Sequence, residues 1–398
     1  MKDLIKDEHI EIETDDNGNG MTMDEEKVNE KYTKGEVRIV TEQGRFQLTT
    51  VPSIVESEDY ILDPEFQRRH RWSTEKKSRL IESFIMNVPI PPIFLYEIDF
   101  SEYEVMDGLQ RLTAIYEFYK DGFELNGLEE WKELNGCKYS ELPTQVKRGI
   151  DRRYLSSMIL LKETAKSEKE SQRLKQLVFE RINSGGERLE PQETRNALYN
   201  GPLNSVCMEL SRNEHFCKMW NLPEVTQGEL DGNPPKELIN NPSYKKMQDV
   251  ELVLRFFAFR HIEKWEKITL TEFLDRFLQQ GNLFPAEVLN EYKTLFTETC
   301  ELVYSIFEED AFCLYRERKN KWILYNRPTK VIYDPMMYVL SDFIDRKDML
   351  VSQKEKINED IKEFYKEYYD IFGGRNTGQS DVKNRIEKMQ DFFTSYLR

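Results

Sequence analysis

Residues Tyr103-Glu104-Val105-Met106-Asp107-Gly108-Leu109-Gln110-Arg111-Leu112-Thr113 constrain this chain more than any other stretch, because they read as a strand turning sharply into a helix. Tyr103, Val105 and Met106 suit a strand. Gly108 permits a turn that a side chain would block, and Leu109, Leu112, Ile115, Tyr116 and Tyr119 recur at helical spacing. Asp107 then stands at the helix entrance, where free backbone N–H groups and the helix dipole favour an anion. Gln110 and Arg111 fall in the first turn, beside any phosphate held there. The competing account is a capped surface helix on which Arg111 makes an ordinary salt bridge.

Two further clusters flank this junction. Upstream, Gln67, Arg68, Arg69, His70, Arg71 and Trp72 precede a helix that Ser73 can cap, with Leu80, Ile81, Phe84, Ile85 and Val88 as its apolar stripe. Downstream, a helix ends at Asn183-Ser184-Gly185-Gly186, and Pro191-Gln192-Glu193-Thr194-Arg195-Asn196 begins another. Together with the Pro89-Ile90-Pro91-Pro92 turn, these ordered motifs resemble the GmrSD-type N-terminal domain family, long called domain of unknown function 262. Residues 60 to 200 carry the resemblance, and Leu109 departs from it where the family has Gln. The resemblance implies a ParB/sulfiredoxin-like α/β core that binds or hydrolyses a nucleotide within a bacterial system restricting modified or foreign DNA. The residues by themselves reach only an anion site.

On that expectation a nucleoside triphosphate, with Mg²⁺, lies on Gly108, with Arg111 and Arg68 neutralising phosphate charge. Gln67 or Gln110 orients the ligand or an attacking water, and Asp107 holds the metal. Asn183, Gly185 and Gly186 form the opposite wall, with Glu193 and Arg195 positioning Arg111 or Arg68; the alternative is a simple helix stop with Glu193 and Arg195 paired on the surface. A second class of function is a non-catalytic module that reads DNA, in which Arg69 and Arg71 join Arg68 on phosphates.

The net charge of −16 argues against broad adhesion to nucleic acid. Half of that deficit lies in residues 1–30, where eleven acids face three lysines, so an acidic disordered tail is expected over 1–33. Beyond it, the α+β reading places a nucleotide-binding lobe at 34–200 and an all-helical lobe at 201–398. Within the first lobe, a hairpin is expected across Gln43-Gly44, an antiparallel pair at 93–98 and 103–106, and a buried strand at 154–161.

The five cysteines show no C-x-x-C spacing, and only four histidines are present, so neither a zinc knuckle nor the histidine pair of an HNH nuclease is expected. A Walker loop and a Rossmann fingerprint are absent too. The chain is therefore expected to be cytoplasmic, without a membrane partner, and to rely on a separate nuclease or defence subunit for cutting DNA.

Overall fold

Alternating apolar positions at 93–107 and 154–160 build the sheet that organises the first half of the chain. The computed structural model describes residues 4–12, 24–34, 39–62, 72–162, 168–183, 190–230, 234–319, 321–373 and 378–397. They fall into two compact units, Asn19–Leu189 and a second made of Met1–Gly18 with Glu190–Arg398.

The first unit holds strands β1 (Thr41–Gln47), β2 (Tyr60–Ile61), β3 (Ile93–Asp99), β4 (Glu102–Asp107) and β5 (Tyr154–Leu160) in the order β1-β5-β3-β4-β2. The sheet is mixed: β1/β5 and β3/β4 are antiparallel, β5/β3 and β4/β2 parallel. The expected pair at 93–107 and the strand at 154 both form. The expected hairpin does not, because residues 41–47 run unbroken along β5. Gly44 faces Ser157, and a Cβ there would come within 2.6 Å of the Ser157 hydroxyl. This glycine permits close strand approach rather than a turn.

Helices α1 (Glu25–Lys34), α2 (Val51–Glu56), α3 (Thr74–Met86), α4 (Leu109–Tyr119), α5 (Thr144–Asp151) and α6 (Glu168–Asn183) complete this unit. Leu80, Ile81 and Phe84 of α3 and Leu112, Ile115 and Phe118 of α4 pack with Ile93, Leu95 and Leu155 of the sheet into one core. Each such side chain contributes about 1.5–3 kcal/mol on full burial. Ser73 caps α3 as expected, accepting from the Lys76 amide at 3.3 Å. α6 is fixed to the sheet by Lys175, whose Nζ lies 2.5 Å from Glu104 of β4 and over the Tyr96 ring, while Tyr96 and Ser171 share a hydrogen bond.

The second unit is mainly helical: α7 (Pro191–Leu198), α8 (Pro202–Leu210), α9 (Glu214–Met219), α10 (Gln248–Phe259), α11 (Leu270–Gly281), α12 (Ala286–Phe307), α13 (Lys330–Leu340), α14 (Lys354–Glu367) and α15 (Gln379–Thr394), with shorter turns between. It is not all-helical. Strands β6 (Leu314–Arg318) and β7 (Lys321–Tyr325) pair as an antiparallel hairpin. β6 exposes Arg316, Glu317 and Arg318, while β7 exposes Ile323 and Tyr325 beside Lys321, so neither strand shows the apolar-in, polar-out alternation that betrays a half-buried strand.

Two boundaries differ from expectation. α7 belongs to the helical unit, which begins at Glu190 rather than near residue 201. The expected acidic tail is partly ordered: α1 is helical, and Glu8 and Ile10 are buried in the helical unit. Glu8 receives Arg260 Nε and Nη2, each at 2.9 Å, and Tyr292 Oη at 2.7 Å, with His261 Nε2 also at 2.9 Å. Composition averaged over thirty residues gives no sign that one carboxylate finds this set of partners.

Among the described residues, no helix is long and apolar enough to cross a membrane. Cys207, Cys217, Cys300 and Cys313 are buried free thiols, and Cys137 is half-buried.

Candidate functional site

β4 ends at Asp107 and α4 starts at Leu109, so the strand-turn-helix junction forms as read. Gly108 makes the turn in the left-handed region, φ +96°, pressed against β3: an added Cβ would lie 2.3 Å from Ile93 Cγ2 and 2.8 Å from its Cβ. Only glycine fits both conditions. The Gly108 carbonyl accepts from the amides of Arg111 and Leu112, both at 3.0 Å, which leaves the N–H groups of Leu109 and Gln110 without an acceptor inside the helix. These are the groups that a helix entrance offers to an anion.

The side chains around the turn are engaged differently from expectation. No side chain caps α4; the Asp107 carboxylate instead accepts from Arg111 Nη2 at 2.7 Å. Arg111 Nη1 donates to the Pro91 carbonyl in the Pro89-Ile90-Pro91-Pro92 turn, and the residue is only 9% exposed. Arg111 therefore acts as a buried fastener joining the end of β4, the first turn of α4 and the proline turn. It is not a surface salt bridge. A guanidinium does this because its planar fork can serve two acceptors at once.

Gln110 has a second structural task. Its Oε1 accepts the Trp72 amide at 3.1 Å, and Trp72 packs on the core with Lys76 Nζ 4.9 Å above its ring. The end of the arginine-rich segment is thereby tied to the first turn of α4. Gln67, Arg68, Arg69 and Arg71 lie outside the described residues, as do Gly185 and Gly186. For Asn183 the structure gives its backbone place at the end of α6. Among the described residues, no group of three or more His, Cys, Asp or Glu side chains could hold a metal ion, and Asp107 is the single carboxylate at the turn, half committed to Arg111. Any Mg²⁺ here would be held chiefly by phosphates.

Glu193 and Arg195 belong to the helical unit. Arg195 is buried in the helical unit, where Nε meets Asp275 at 2.6 Å, Nη1 meets Gln192 at 3.1 Å and Glu251 at 3.2 Å, and Nη2 meets the Thr271 carbonyl at 3.3 Å. Glu193 turns back onto the Glu190 amide at the start of α7. Both are interior residues of the second unit, so the surface pairing offered as the alternative does not occur either. A buried α7 interior explains why Glu-x-Arg-Asn reads as polar in sequence yet sits inside.

Sequence reasoning also missed Glu82 of α3. Its Oε1 accepts three consecutive amides, Glu129 at 3.0 Å, Glu130 at 2.8 Å and Trp131 at 3.0 Å, and so holds the loop after α4. Burial works to raise its pKa, but these three N–H donors outweigh it and hold it below the usual carboxylate value. A lone acid on the face of an amphipathic helix gives no signal of that kind.

Residues 51–200 match the family model described as GmrSD restriction endonuclease, N-terminal domain. The match supports the GmrSD N-terminal family for this segment, and it contains the junction, the proline turn and Trp72. It also runs past the unit boundary into α7, so the GmrSD-type motif set is divided between the two units. No curated protein and no solved structure matches the chain.

Proposed function

We propose that the α/β unit is a nucleotide-binding module with a ParB/sulfiredoxin-like core, and that the chain is a regulatory or sensor component of a DNA restriction or anti-phage defence system, working with a separate nuclease. The supporting observation is the Gly108 turn, which leaves the Leu109 and Gln110 amides open at the entrance of α4 inside the segment that matches a restriction endonuclease domain. On this reading the triphosphate, with its Mg²⁺, meets those amides. Arg68 is assigned to neutralise phosphate charge, and Arg111 fixes the shape of the turn through Asp107 and Pro91.

The test is calorimetric titration of the whole chain with ATP and GTP in Mg²⁺, followed by phosphate release with and without duplex DNA. Arg111→Ala removes the fastener that shapes the turn presenting the Leu109 and Gln110 amides and should weaken nucleotide binding about tenfold. Unchanged affinity in a folded Arg111→Ala protein would defeat the assignment. Duplex binding with no nucleotide binding would favour the DNA-reading module instead.

A further inference from the structure

A cavity of about 310 Å³ opens in the helical unit, walled by α7, α10, α11, α13 and α15. It is the size of a small-molecule site at the lower end of the usual range, about 300–1,000 Å³. The lining is unusual for its charge. Three arginines, Arg195, Arg255 and Arg385, are each less than 5% exposed, and two half-exposed lysines, Lys246 and Lys330, stand with them.

The three lining carboxylates are already occupied. Glu251 is shared by Arg195 at 3.2 Å and Lys330 at 2.7 Å, Asp334 takes Arg255 Nε at 3.0 Å, and Glu190 takes Lys246 at 2.5 Å. Five cations thus face three acids across the cavity, while Asp275 approaches Arg195 from outside the lining. Arg385 donates Nε to the Ile371 carbonyl at 2.9 Å; burial lowers its pKa, and the charges of Asp381 and Asp334 offset this only in part.

Gln192 supplies an independent sign. It is 1% exposed, lines the cavity, and its Oε1 accepts from Arg195. Because a guanidinium only donates, that bond fixes which way the amide points. Its Nε2 is consequently buried with no acceptor among the described residues. A buried donor without a partner is costly, and an oxyanion would relieve it.

We propose that this cavity binds a small multiply charged oxyanion, a phosphate ester no larger than a mononucleotide, through Arg385, Lys330 and the Gln192 amide. The proposal is independent of the Gly108 junction, since every lining residue belongs to the helical unit.

Calorimetric titration of the whole chain with AMP and with inorganic pyrophosphate tests it. AMP should bind at one site, and its affinity should fall about tenfold or more in Lys330→Gln and Arg385→Gln and about fivefold in Gln192→Leu, each variant checked for folding by circular dichroism. If Arg385→Gln fails to fold, Lys330→Gln and Gln192→Leu decide. No AMP binding at about 5 mM, or equal AMP affinity in folded Lys330→Gln and Gln192→Leu, would overturn the site. Binding of pyrophosphate alone would overturn the ester as its ligand.

Discussion

Replacing Gly108 by alanine tests the geometry on which the nucleotide reading depends. A non-glycine residue in the left-handed region costs roughly 1–2 kcal/mol in backbone energy. At φ +96° the new Cβ would also lie 2.3 Å from Ile93 Cγ2, on a side chain with no exposure to solvent. Relieving that overlap in a packed core costs about 1–3 kcal/mol more. Gly108→Ala should therefore destabilise the α4 region by about 2–5 kcal/mol. Hydrogen exchange at the α4 amides measures this locally and separates the α/β unit from the helical one. A double-mutant cycle with Ile93→Ala divides the cost. That change removes the 2.3 Å contact but leaves the 2.8 Å approach to Cβ, so only part of the loss returns, a coupling of about 1 kcal/mol. Unaltered α4 protection in Gly108→Ala, or strict additivity in the cycle, would refute the reasoning.

The N-terminal contact predicts a pH effect. Burial works to raise the Glu8 pKa, but hydrogen bonds from His261 and Arg260, the Arg260 charge and Tyr292 outweigh it, taking it from the ordinary 4.5 to about 2. A depressed folded value means that this stability is complete above pH 4.5 and disappears as the pH falls toward 2. Glu8→Gln should lower stability at neutral pH and flatten that part of the acid-unfolding curve, read by circular dichroism; an unchanged curve would count against the buried contact. Glu82→Ala leaves the Glu129, Glu130 and Trp131 amides unmet and should cost about 3 kcal/mol, whereas Glu82→Gln keeps an acceptor and costs less. Urea unfolding followed by tryptophan fluorescence compares the two, and equal losses would show that the triple hydrogen bond matters little.

Local periodicity made much of the architecture legible. The helical spacing of Leu109, Leu112, Ile115, Tyr116 and Tyr119 became α4 at Leu109–Tyr119, because it combines an apolar stripe with good helix formers. The Gly108 turn was legible for a related reason: strand, glycine and helix follow one another within eleven residues. The β6–β7 hairpin and β1 were not, since β6 is mostly charged and β7 exposes apolar residues, so neither alternates, and a glycine that admits a neighbouring strand imitates a turn in β1.

The sequence by itself determined where a chain reversal with open helix-entrance amides must fall, since backbone sterics at a glycine between strand and helix are local. Only the tertiary structure decided what the charged side chains do. Arg111 turns inward to Asp107 and Pro91, Arg195 joins a buried network with Asp275 and Glu251, and Glu8 finds Arg260 across more than two hundred residues of chain. An ion pair draws its geometry from partners brought together by the packing of apolar faces, and no spacing along the chain records which carboxylate a buried guanidinium will meet.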